Sequence, residues 1–110
     1  MRIGVAWLYI TFAGLLEIVW AVLLKQSHGF SRFWPSAGFL VAGTGSIVLL
    51  AVALRSLPVG SAYAAWTGIG AVGTAAAGIL LLGEDINVGR VASVAVVVIG
   101  IVGLRVFTEA

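Results

Sequence analysis

One carboxylate stands in the middle of a long apolar run, Ala13-Gly14-Leu15-Leu16-Glu17-Ile18-Val19-Trp20-Ala21. From Gly4 to Leu24 the only other ionisable side chain is the Tyr9 phenol. A run of about 20 residues, rising about 1.5 Å each, crosses a bilayer as a helix. An acidic side chain at the centre of such a helix costs at least about 2.5 to 3.5 kcal/mol to insert. A leucine at position 17 would insert without that cost. A carboxylate at this depth holds a proton or a cation, and Glu17 is therefore the candidate binding residue. The structural alternative is a protonated Glu17 hydrogen-bonded to another helix.

The helical neighbours of Glu17, three and four residues away, are Ala13, Gly14, Trp20 and Ala21. Three are small and admit a second helix or a ligand. The indole of Trp20 offers one N–H donor and a face for a flat cation. Further along, Tyr63, Trp66, Thr67 and Gly70 fall at i, i+3, i+4 and i+7, on one helical face. Two aromatics with polar handles facing one way can wall a cation site, or can both be aromatics of the membrane boundary. Ser46, near the middle of another apolar run, either reaches polar groups at the depth of Glu17 or bonds the carbonyl four residues back.

The elements that position these residues follow from composition. The chain has 110 residues, 62% of them hydrophobic and 9% charged, with a mean hydropathy of +1.20. That much apolar surface exceeds the interior of a soluble domain of this size, so the class is an all-α integral membrane protein. Without cysteine there is neither a disulfide nor a thiolate metal site. One histidine and four scattered acids give no metal-ligand spacing. No cofactor and no catalytic constellation is expected. A net charge of +2 with no basic stripe does not suggest nucleic acid. Arg2 and the apolar run behind it resemble a signal peptide, but the run is too long for one.

Hydropathy and turn residues predict one unit, residues 1–110, of four short transmembrane helices at about 4–25, 34–54, 59–82 and 88–106. Lys25 reaches for the interface. Gly29 offers the first helix a left-handed stop, His28 is solvated, and Ser31 caps the second helix, with Trp34 at the boundary and Pro35 in the first turn. Gly38, Ala42 and Gly45 or Ser46 form a stripe for close packing. Pro58 opens the third helix, whose Gly68, Gly70, Gly73 and Gly78 permit a bend or a close approach. Glu84 and Asp85 favour the start of the fourth helix through its dipole. That helix carries Ser93 and Gly100 seven residues apart, a spacing suited to a helix–helix seam.

Four thin helices enclose little space, so a polar site in lipid calls for a second copy. The N-terminus, second turn and C-terminus carry Arg2, Arg55 and Arg105; the first and third turns carry Lys25, Arg32 and Arg90. Orientation follows an excess of Lys and Arg on one side, and here the difference is 3 − 3 = 0. Both orientations are expected in one membrane.

These residues resemble the small multidrug resistance family of bacterial exporters over nearly the whole chain. The matching segments are Gly14-Leu-Leu-Glu17-Ile-Val-Trp20-Ala21 with Lys25, His28-Gly-Phe-Ser-Arg32, Trp34-Pro-Ser, and Leu57-Pro-Val-Gly-Ser-Ala-Tyr63-Ala-Ala-Trp66-Thr-Gly-Ile-Gly-Ala-Val-Gly73. Trp20, where multidrug members usually have glycine, and the string after Trp66 point to the guanidinium exporter subtype. The resemblance implies an antiparallel, dual-topology homodimer in the bacterial plasma (inner) membrane, exchanging protons for guanidinium-type cations. It implies that Glu17 is shared by proton and substrate, that Gly14, Trp20, Ser46, Tyr63 and Trp66 line or orient the site, and that helix 4, with Ser93 and Gly100, is the dimer seam. Ser93 replaces a glycine usual in multidrug members. The competing readings are export of broader quaternary ammonium or aromatic cations, and a non-transport role as a small membrane assembly subunit.

Overall fold

The computed structural model describes residues 2–108; Met1, Glu109 and Ala110, the ends of the expected unit, lie outside the described residues. Four helices account for most of the chain: α1 Ile3–Gln26, α2 Phe33–Ala53, α3 Val59–Leu81 and α4 Val88–Phe107. Each is long and apolar enough to cross a membrane. No strand occurs among the described residues.

The helices lie in a row. α1 packs between α2 and α3, α4 packs along the far side of α3, and α2 touches α3 slightly. The molecule measures 42 × 34 × 16 Å. Its thin dimension is little more than one helix with side chains, about 10–12 Å. Most of the buried side chains are small or aromatic: Ala6, Ala13, Ala53, Ala62 and Ala65 beside Trp7 and Trp66. Small residues let backbones approach closely where no hydrophobic effect drives helices together in lipid.

Glycine makes three of the close approaches. A Cβ on Gly14 would fall 2.5 Å from Ile69 Cγ2 and 2.7 Å from its Cβ, so α1 rests directly on α3 there. On the other side of α1, a Cβ on Gly38 of α2 would fall 2.9 Å from Leu23. On α3, Gly68 lies under Ile101 and Val97 of α4. Gly68, Gly70, Gly73 and Gly78 of α3 serve close approach, and the helix runs unbroken from Val59 to Leu81.

The first turn differs from expectation. Ser31 does not cap α2: Arg32 is the N-cap residue and no side chain caps it, while Ser31 Oγ donates to the His28 carbonyl at 2.8 Å. The knot of this turn is Ser27, fully buried. Its hydroxyl donates to the Leu24 carbonyl at 2.7 Å and accepts from Phe30 N–H at 3.1 Å; its carbonyl accepts from the N–H groups of Ser31 and Arg32. The left-handed backbone is shared by His28, Gly29 and Phe30, with φ of 48°, 71° and 67°. In the third turn Glu84 and Asp85 lie in the loop before α4, and Arg90 of α4 makes a contact there that spacing does not announce, pairing with Glu84 Oε1 at 3.1 Å and donating to the Asp85 backbone carbonyl. Asn87 caps α4 by accepting from Arg90 N–H at 2.9 Å. Glu84 also lies over Gly78, the space a Cβ there would need.

Gly14→Ala should destabilise the fold by about 1–3 kcal/mol, because the β-branched Ile69 has little room to yield. Thermal unfolding in detergent should show a lowered midpoint, and adding Ile69→Ala should restore part of it. An unchanged midpoint for Gly14→Ala would mean that α1 and α3 are not in register at this contact.

Candidate functional site

Glu17 lies just past the middle of α1, which places it deep in the row of helices. Its side chain lies flat on the backbone of α3 at Gly70, where a Cβ would fall 2.7 Å from the carboxyl carbon and 2.9 Å from Glu17 Cβ. One turn on, Ile18 occupies the space above Gly73 in the same way. Glu17 Oε1 is buried and meets no hydrogen-bond donor among the described residues. A buried carboxylate oxygen without a donor is costly, and a proton or a cation would satisfy it.

Ser46 takes the first of its two sequence-level options. It is fully buried on α2 and its hydroxyl donates to the Ala13 carbonyl of α1 at 2.6 Å. The same oxygen accepts from Trp66 Nε1–H of α3 at 2.9 Å. One hydroxyl thus joins three helices one turn before Glu17. Trp66 is 7% exposed and held by that bond. Tyr63 packs on it at 5.4 Å between ring centroids, and Trp20 at 6.1 Å. Tyr63 is exposed at its outer face.

The structure therefore brings Glu17, Trp20, Ser46, Tyr63 and Trp66 to one region of α1, α2 and α3. Gly14 lies one turn before Glu17 but is buried under Ile69, so its surface is spent on helix contact. Ser93 and Gly100 lie apart, on α4, which buries none of its residues within one copy. Ser93 Oγ donates back to the Gly89 carbonyl at 2.7 Å, and Gly100 faces open space. Two further contributors are set by packing across helices. Gly70, on the aromatic face by its spacing, is the seat of Glu17. Phe39 packs on Trp20 at 5.8 Å; its signal was its position seven residues before Ser46, two turns away on the same face of α2. Among the described residues no group of acids and histidine could hold a metal.

The family profile described as Small Multidrug Resistance protein matches residues 5–106. The chain belongs to this family. Relatives named guanidinium exporter include one from Escherichia coli K12, 57% identical over 104 residues, covering 94% of this chain and 99% of the relative. One from Yersinia pseudotuberculosis is 56% identical over 100 residues, covering 91% and 96%. One from Citrobacter freundii is 52% identical over 104 residues, covering 94% and 99%. Together with four apolar helices, membership makes the chain a multi-pass membrane protein of a transporter family.

Ser46→Ala should leave the buried Trp66 N–H without an acceptor, at a cost of about 1–3 kcal/mol. Ser46→Thr, which keeps the hydroxyl, should cost less. Unfolding in detergent and the emission wavelength of Trp66, read in a background where the other tryptophans are phenylalanine, check this. Equal behaviour of Ala and Thr variants would show that the hydroxyl does not hold the three helices.

Proposed function

We propose that this chain is a proton-coupled antiporter exporting guanidinium and small guanidinyl cations across the bacterial inner membrane. The observation that carries the reading is the carboxylate of Glu17, deep in the helix row, with one oxygen buried and free of donors beside an aromatic wall. The names of the relatives agree with it.

The chemistry suits the substrate. Guanidinium is a small planar cation whose N–H donors pair with a carboxylate in a fork, and it stacks on aromatic faces. Trp20 and Trp66 supply such faces within reach of the α1–α3 contact. Proton and cation compete for the same carboxylate. A proton arriving from one side displaces a cation to the other, provided the site opens to one side at a time.

The working unit is a homodimer of antiparallel copies. A row of helices 16 Å thick is little more than one layer deep, and a second copy supplies a further wall and a second Glu17. The bare face of α4 around Ser93 and Gly100 serves as the seam. In an antiparallel pair, exchanging the two copies' conformations turns an inward-open state into its outward-open mirror.

Two experiments test this. Glu17→Gln keeps size and hydrogen bonding and removes the titratable charge. The variant should insert and assemble, and guanidinium-driven proton movement in proteoliposomes should vanish. Residual coupling in Glu17→Gln would place the exchange on another group, while transport of quaternary ammonium in preference to guanidinium by the parent protein would select the broader family reading. For topology, the equal basic counts predict that a cysteine introduced into the first turn is labelled from both sides of the native membrane. Labelling from a single side would refute the antiparallel pair.

A further inference from the structure

The aromatic contacts continue beyond the carboxylate region. Phe30, in the turn after α1, packs on Phe39 of α2 at 5.5 Å between centroids; Phe39 packs on Trp20, Trp20 on Trp66, and Trp66 on Tyr63. No step in this series exceeds 6.1 Å. Its ends lie at opposite ends of the helices. Phe30 belongs to the turn that follows α1, whereas Tyr63 stands in the second turn of α3, which begins after α2. The column therefore runs from one boundary past the level of Glu17 nearly to the other.

The loop end of this column is built rather than left over. Phe30 holds a left-handed backbone at φ 67°, next to His28 at φ 48°. A non-glycine residue pays conformational strain in that region, and such strain gathers at functional positions. The buried Ser27 hydroxyl fixes the conformation by accepting from Phe30 N–H. Phe30 so presented is 58% exposed, and its ring packs on Phe39.

We infer that Phe30 and Phe39 form an outer binding station for a flat organic cation, which holds guanidinium by cation–π contact at the loop end of the column before or after its residence at Glu17. The inference rests on the proposed transport of guanidinium, and it assigns that cation a second place on the chain. A cation within about 6 Å of a ring face gains from the ring quadrupole without displacing water from a buried site. A station of this kind is weak, binds without a carboxylate, and hands the cation on along Trp20.

The test separates the station from Glu17. With 4-fluorophenylalanine at position 30, guanidinium chloride should shift the fluorine resonance, and sodium chloride at equal ionic strength should not. The shift should persist in Glu17→Gln. No shift, or one that disappears with the carboxylate, overturns the station. In proteoliposomes, Phe30→Leu should slow exchange at low guanidinium by about two- to five-fold, the size of one exposed cation–π contact. Equilibrium affinity, followed by tryptophan fluorescence, should stay at the parent level, and Phe30→Trp should restore the rate. Unchanged exchange in Phe30→Leu, or a loss of rate and affinity together that Phe30→Trp does not mend, counts against it. Failure of the parent to move guanidinium would refute the transport reading, and the fluorine signal would still decide the station.

Discussion

How near α1 comes to α3 determines what Glu17 can do. Glycine sets that distance. With Gly14 on one helix and Gly70 and Gly73 on the other, the two backbones meet with Ile69, Glu17 and Ile18 laid across them. The carboxylate is thereby pressed onto the main chain of α3 at Gly70, with one of its oxygens buried. A larger residue at 70 would push it outward, away from α3. Helix association in a membrane relies on packing and hydrogen bonds, so the surface that holds the bundle together is also the surface that shapes the acid's surroundings.

Polar groups in the same region are treated in two ways. Ser46, Trp66 and the Ala13 carbonyl satisfy one another fully and tie three helices at one point. Glu17 Oε1 is left without a donor beside them. A satisfied network in low dielectric is rigid, and an unpaired group there is costly. The contrast sets a satisfied frame beside an unsatisfied acid. Trp66 links the frame to the aromatic contacts, since its N–H is committed to Ser46 while its ring packs on Tyr63 and Trp20.

Much of this was legible in the sequence. Four apolar spans separated by short polar turns leave little choice of architecture, and a lone acid in the first span stands out by its insertion cost. Tyr63 and Trp66 share a face by helical spacing alone. What was not legible depends on distance across helices. Spacing along α2 could not tell whether Ser46 would bond its own helix or another. The glycines of α3 announced a close approach but not that Glu17, Ile18 and Glu84 would each rest on one. The first turn was misread for a related reason: Ser31 looked like a cap by position, whereas Ser27, inconspicuous in sequence, became buried and took the hydrogen bonds. The pairing of Glu84 with Arg90 in the third turn was likewise not legible from spacing.

The knot at Ser27 has a consequence for how such a chain can vary in length. Connecting segments ordinarily absorb insertions and deletions because few contacts depend on them. Here the segment between α1 and α2 folds back on one buried hydroxyl and one carbonyl, and three successive residues take left-handed backbone to do so. Adding or removing a residue after Ser27 would shift its downstream partners Phe30, Ser31 and Arg32 by one and turn Phe30 away from Phe39. The connection is thus as intolerant of a change in length as the helices it joins, and an inserted tag or epitope would disturb the packing of α1 on α2 rather than sit harmlessly outside it.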